Sequence, residues 1–220
     1  MNRNIKAMAA LKKTSETWNL ALILLITVII LCVGIFGGFD KEELGVAYAS
    51  ALAGAFFSIN LFIKVFVLVE EIPRGLSFGM TRRKLFINSR VVDLLEVIVI
   101  AFICFAALGF HGPMVTLKCA AIAYGFFMWI EGVACNEVVR YGKVAYWIYY
   151  IVMLILMIGL PKVLHRFIGS SASLFGVIYD GIAKGAYNQG LVWLGILLFI
   201  ASGLAVNWLT FRKMPVILNS

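Results

Sequence analysis

Charge is scarce in this chain. Of its 220 residues only 14% are Asp, Glu, Lys or Arg and 63% are hydrophobic, whereas an average soluble domain has about 25% charged and about 45–50% apolar residues. So little charge cannot cover a globule of this length, which excludes an ordinary soluble single-core fold and leaves lipid as the missing solvent. Histidine is scarcer still: His111 and His165 stand alone, far apart. The four cysteines, Cys32, Cys104, Cys119 and Cys135, lie in or at the edge of apolar runs without Cys-x-x-Cys spacing. They read as small core residues, and neither a metal site nor a disulfide framework is expected. Three catalytic signatures are missing as well, namely Gly-x-x-x-x-Gly-Lys-[Ser/Thr], His-Glu-x-x-His and Gly-x-Ser-x-Gly. The chain is therefore expected to hold no cofactor and no ATPase site of its own.

Apolar length is what the sequence has in plenty. A membrane helix needs about 20 mostly apolar residues, and six stretches qualify: 18–38, 44–69, 91–110, 113–135, 144–160 and 191–211. The first is too long, and too far from a small-residue cleavage site, for a signal peptide, and is expected to stay in the mature protein. The net charge of +8 comes from basic residues dispersed between these stretches, which argues against nucleic acid as a partner. Their placement encodes orientation instead. Arg3, Lys6, Lys12, Lys13, Arg74, Arg82, Arg83, Lys84, Arg90, Arg140, Lys143, Arg212 and Lys213 fall on one side of a six-span arrangement; Lys41, Lys118, Lys162, Arg166 and Lys184 fall on the other. The richer side is the cytoplasmic one. The reading is an all-α, polytopic membrane protein: one transmembrane domain over residues 1–220, six transmembrane helices, both termini cytoplasmic.

Three segments are not spans. Residues 1–17 put Ile5, Met8, Ala9 and Leu11 broadly on one face and Arg3, Lys6 and Lys13 on the other, as an interfacial helix or else a basic tail. Lys12 interrupts that pattern. The cytosolic loop 70–90 places Pro73 for a first helical turn, Gly79 for a left-handed stop and Thr81 for a cap on the next helix. Its apolar members, Leu76, Phe78, Met80, Leu85 and Phe86, suggest a docking surface, the alternative being an ordinary basic turn. The outer stretch 162–189 is too apolar for a solvated loop and reads as short helices in the outer interface, capping a pathway or packing on the bundle. In the second span Ala47, Ala51 and Ala55, with Ser50, Gly54 and Ser58 beside them, form small-residue stripes that permit close helix contact.

Polar groups inside spans cost about 2.5–3.5 kcal/mol each for Asp, Lys or Arg at a helix centre, so those present need a reason. Asn60, Lys64, Asp93, Glu96, Glu131, Glu137 and Asn207 are the candidates. Most fall near inner ends of spans, where they can pair with one another or with Arg140 and Lys143. Glu131 is the deepest acid, and a pathway role for Asn60, Glu131 and Asn207 stays open beside the structural one.

The run Leu76-Ser77-Phe78-Gly79-Met80-Thr81-Arg82-Arg83-Lys84, and Arg140-Tyr141-Gly142-Lys143 between spans four and five, resemble the corresponding loops of small bacterial type-2 ABC exporter permeases. The layout of lead-in helix, six spans and outer helices before the last is similar too. The resemblance implies a permease subunit in a bacterial plasma membrane, paired with a second copy or homologue and with cytosolic ABC ATP-binding subunits that carry the ATP and Mg. It implies that Pro73, Arg74, Gly75, Leu76, Ser77, Phe78, Gly79 and Met80 form a coupling helix docking on the ATPase, followed by Thr81, Arg82 and Arg83. Phe78 would be its apolar anchor and Arg74 a polar contact. Members of similar size include phenol-soluble-modulin exporters, which makes amphipathic peptides the expected substrate. Two other readings differ in class. One is a membrane-embedded enzyme using Glu131 and Glu137 with His111 or His165; the other is a passive channel or accessory subunit.

Overall fold

The computed structural model describes residues 3–37, 40–110, 112–167, 182 and 187–214. Among them every regular element is helical: α1 (Arg3–Gly37), α2 (Lys41–Ser77), α3 (Arg82–Ala107), α4 (Pro113–Ile130), a π-helical turn (Glu131–Cys135), α5 (Asn136–Tyr141), α6 (Lys143–Phe167) and α7 (Gln189–Phe211). Three segments, Glu42–Phe62, Pro113–Val138 and Gln189–Phe211, are long and apolar enough to cross a membrane. Asn19–Gly34 and Val144–Leu156 are shorter apolar helices. The surface matches: Leu24 and Val28 on α1, Ile98 and Phe102 on α3, Ile151 and Ile155 on α6 and Leu194 and Leu198 on α7 all point outward. Exposed apolar side chains in such continuous runs mark a surface that water does not cover.

Two expected boundaries fall differently. Residues 3–17 of the lead-in and 18–37 of the first apolar stretch form one helix without a break, 35 residues and about 52 Å long, rather than an interfacial helix followed by a span. The separate coupling helix is likewise absent: α2 runs on through Pro73, so residues 73–77 are its last turns. The side chains of Pro73 and Arg74 lie outside the described ones. Of the outer stretch, 162–167 continue α6, while 168–181 and 183–186, where the outer helices are expected, lie outside the described residues.

What ends α2 is the predicted glycine. Gly79 sits at φ 75°, its N–H donates to Leu76 O and the Met80 N–H donates to Gly75 O. This paired closure satisfies the last carbonyls of the helix. Thr81 then caps α3, its hydroxyl accepting from the Lys84 N–H. Gly79→Ala forces a Cβ into the left-handed region at a cost of about 1–2 kcal/mol. We expect the purified chain to melt a few degrees lower; an unchanged melting temperature would show that the turn relaxes freely.

Pairings along the helices fix their relative directions. Thr27 meets Tyr48 while Gly34 lies against Leu44, so α1 and α2 are antiparallel. Cys104 donates to Ala49 O and Asp93 meets Lys64, so α2 and α3 are antiparallel too. By contrast α4 and α7 are parallel: Gly125 faces Phe199, Gly132 faces Asn207 and Asn136 reaches Thr210. Close helix approaches come from Gly45 of α2, where a Cβ would meet Ala107 O of α3, and from Gly125, Gly132 and Gly203 between α4, the π turn and α7; none of the four leaves room for a Cβ. The small-residue stripe of α2 makes no such contact, since Ala47, Ala51, Ser50, Gly54 and Ser58 are exposed.

Candidate functional site

Two apolar clusters stack within the bundle. One holds Leu52, Phe56, Val97, Ile100, Phe127 and Met128, and the other Leu61, Ile72, Met80, Leu85, Phe86, Val138 and Phe211. On α3 the order along the helix is Leu85 and Phe86 of one cluster, then Arg90 and Asp93, then Val97 and Ile100 of the other. A layer of buried charge therefore lies between two apolar slabs.

Its members are Lys12 from α1, Lys64 from α2, Arg90, Asp93 and Glu96 from α3 and Glu131 from the π turn. Among the described residues three cations face three carboxylates. Asp93, 2% exposed, is the hub: its carboxylate lies 3.1 Å from Lys12 Nζ, 2.7 Å from Lys64 Nζ and 3.2 Å from Arg90 Nη2. Arg90 also forms a close ion pair with Glu131, and Lys64 Nζ is 3.5 Å from the other Glu131 oxygen. Glu96 is held most loosely, with Lys64 at 3.9 Å. Charges this deep persist only when paired.

The layer extends into α7 through amides. Asn207, 1% exposed, donates to Glu131 Oε2 at 3.2 Å, and Asn136 Nδ2 donates to Asn207 Oδ1 at 3.1 Å and Thr210 Oγ1 at 2.6 Å. The π turn makes this possible. Its wider loop closes from the Asn136 N–H to Glu131 O and leaves Glu131 facing α3 while Asn136 faces α7. Such turns are rare and frequent at functional sites. Arg90 is further fixed by the Tyr124 hydroxyl on its carbonyl and by its stack over Phe86. Arg90 Nε, Asp93 Oδ2 and Glu131 Oε1 form no hydrogen bond among the described residues, which leaves the layer ionically paired but incompletely bonded.

Of the residues the sequence singles out in the membrane, Glu131 and Asn207 come together and Lys64, Asp93 and Glu96 join them. Asn60 is buried beside the layer, yet its amide donates to Phe56 O of its own helix. Glu137 stays outside, 3.9 Å from Arg140, and Arg140 does not reach the layer. Lys12, Arg90, Asn136 and Thr210 are members that sequence reasoning missed. The only sequence trace of Lys12 is that it interrupts an apolar face.

The docking loop is reshaped as well. Met80, Leu85 and Phe86 are buried in the inner cluster and Leu76 is half-buried against it, so the apolar surface expected of this loop reduces to Phe78, 48% exposed. Ser77, Gly79, Thr81, Arg83 and Lys84 are exposed around it, while Gly75 is buried against Leu85. Arg82 donates to Arg212 O at the end of α7. Lys118, assigned to the outer side within the fourth apolar stretch, is buried in α4, where it donates to Ile182 O and contacts Gln189 Oε1. For the enzyme reading, Glu131 and Glu137 share no partner among the described residues; His111 and the side chain of His165 lie outside them. Compared with family models, with curated proteins and with solved structures, the chain matches none.

Proposed function

We propose that this chain is the permease subunit of an ATP-driven exporter of the type-2 ABC class. It would cross a bacterial plasma membrane six times, with both termini cytoplasmic, and pair with a second permease and with separate ATP-binding subunits that bring ATP and Mg. The observation that carries the proposal is the α2–α3 tip, where one exposed aromatic, Phe78, projects from a turn locked at both ends by the Gly79 closure and the Thr81 cap.

Directly behind that tip lies a packed route into the ionic layer. Leu85 and Phe86 sit in the inner cluster, Phe86 packs on Trp208 and Phe211 of α7, and Asn207 one residue before Trp208 holds Glu131. A force on Phe78 thus reaches α3 and α7 together. Since an ATPase closes as a rigid body, coupling needs a stiff contact of this kind rather than a solvated loop.

Two observations favour the six-span topology. Because α4 and α7 run parallel, the chain must return across the bundle between them, and the long element available is α6, at 25 residues about 37 Å. The tip, Arg82 and Arg83, the α5–α6 turn with Arg140, and Arg212 and Lys213 then share the basic cytoplasmic side. Exposed Tyr141 and Trp147 near that turn suit the headgroup region, where aromatic residues collect. The peptide substrate rests on the loop resemblance.

The test is affinity purification of the tagged full chain in mild detergent. We expect an ATP-binding subunit in the eluate. Phe78→Asp removes a central apolar anchor, worth about 2 kcal/mol or roughly 30-fold in affinity. It should abolish co-purification and stimulated ATP hydrolysis while insertion and melting temperature stay unchanged. Full retention of both by the variant would overturn the docking role, and no ATPase in any condition would overturn the class.

A further inference from the structure

A cleft of about 270 Å³ opens between α1, α2 and α3, walled by Leu20, Ile23, Phe56, Leu95 and Val99. It exceeds the apolar cavities of about 150 Å³ that hold benzene. Leu20, Leu95 and Val99 also face outward, so the mouth lies on the surface assigned to lipid. Asn19 lines it too, and Glu96 is its one charged wall residue.

That carboxylate is the anomaly. The Glu96 side chain is only 10% exposed, yet its cation, Lys64, is 3.9 Å away and lies 2.7 Å from Asp93. Among the described residues Asp93 has contacts with all three cations of the layer and Glu131 with two, whereas Glu96 has this single long one. A buried acid so weakly compensated attracts a further positive group, and an apolar channel to lipid is the route by which one can arrive. The neighbouring cleft between α2, α3 and α4, bounded by Ala53, Phe57, Ala101, Thr116 and Cys119, has no charged wall at all. Carboxylate and apolar channel thus coincide in the first cleft and not in the second.

We infer that the α1–α2–α3 cleft binds a single-chain cationic amphiphile drawn from the bilayer, its ammonium group at Glu96 and its alkyl chain along Ile23, Phe56 and Ile100. The carboxylate, as the one charged group of the wall, favours a cationic head over an anionic one, and the apolar walls demand a tail. Because it rests on the cleft alone, the inference holds whether or not an ATPase is the partner.

The experiment uses the full chain in phosphatidylcholine nanodiscs with radiolabelled decyltrimethylammonium as probe. Saturable binding is expected, displaced by unlabelled probe and not by decyl sulfate or decyl maltoside, which share the tail. Glu96→Gln should weaken binding at least tenfold, while Glu137→Gln, outside the layer, leaves it within twofold. Ile23→Trp keeps the carboxylate and fills the channel, so it should also abolish binding; with the head-group competition it decides the matter even if Glu96→Gln fails to fold. Uptake no greater than by empty nanodiscs, equal displacement by decyl sulfate, or wild-type affinity in folded Glu96→Gln or Ile23→Trp would each overturn the site.

Discussion

Asp93→Ala should remove most of the folded protein from the membrane. The carboxylate it deletes is in contact with Lys12, Lys64 and Arg90, all buried, so its loss removes the shared counter-charge on which three cations converge. Removing one partner of a buried ion pair costs about 3–5 kcal/mol, a large share of a total stability of about 5–15 kcal/mol. The effect should be seen as a collapse of the monodisperse peak in detergent size-exclusion chromatography and a lowered melting temperature for what remains. Glu137→Ala removes an acid whose one ion pair among the described residues is a long one to half-exposed Arg140, and should change neither. A second substitution separates charge imbalance from lost packing. Asp93→Ala with Lys64→Met removes one charge of each sign, and substantial recovery is expected because neutral replacement of a buried pair is often tolerated. If the double variant is no better than the single one, the layer is held by shape and hydrogen bonding rather than by charge balance.

That layer was half visible in the sequence, and the division has a physical cause. Asp93, Glu96, Glu131 and Asn207 stand out because each sits in an apolar run, where the cost of a polar group is a property of the run itself. Arg90 and Lys12 do not, because each adjoins a span rather than interrupting it, and a basic residue there is explained equally well by orientation. Only the register between helices reveals that position 93 of α3 lies level with 64 of α2, and position 90 with 131 beyond α4, and register is a relation between segments. The π turn is illegible for a related reason. Glu-Gly-Val-Ala-Cys has no composition that demands an extra residue in the turn, and Gly132 records only that something lies close.

Local signals read better. Gly79 and Thr81 did at the α2–α3 junction what their backbone preferences dictate, because left-handed φ and capping depend on immediate neighbours. The extent of α2 was misjudged, because Pro73 was read as opening a helix whereas here it lies inside one. Burial in that loop was misjudged with it: Met80, Leu85 and Phe86 among basic residues look exposed in a string and pack inward once α2 and α3 close as a hairpin. The small-residue stripe of α2 misled in the opposite way. Small side chains allow close approach without requiring it; α2 comes close to α3 at Gly45, outside that stripe, and the other tight approaches fall between α4, the π turn and α7.

Gly132→Ala should therefore act far beyond one methyl group. An added Cβ would lie 2.8 Å from Asn207 N and 2.9 Å from its Cα, both backbone atoms, so no rotamer relieves the clash and α7 has to move away. Overpacking of this kind costs about 1–3 kcal/mol. The displaced segment is the one whose Asn207 amide donates to Glu131, and a hydrogen bond to a charged group is worth about 1.5–3 kcal/mol more. At about 2–4 °C per kcal/mol for a chain of this size, the melting temperature should fall by roughly 5–20 °C. Gly54→Ala adds the same methyl group where nothing lies within 4 Å and should leave it unchanged. Whether the loss passes through the ionic layer is decided by a double-mutant cycle. If Gly132→Ala already detaches Asn207 from Glu131, then Asn207→Ala costs much less in that background than in the wild-type chain. Additive losses would mean that α7 slides without releasing Glu131, and that the amide bridge between the π turn and the last helix tolerates movement rather than transmitting it.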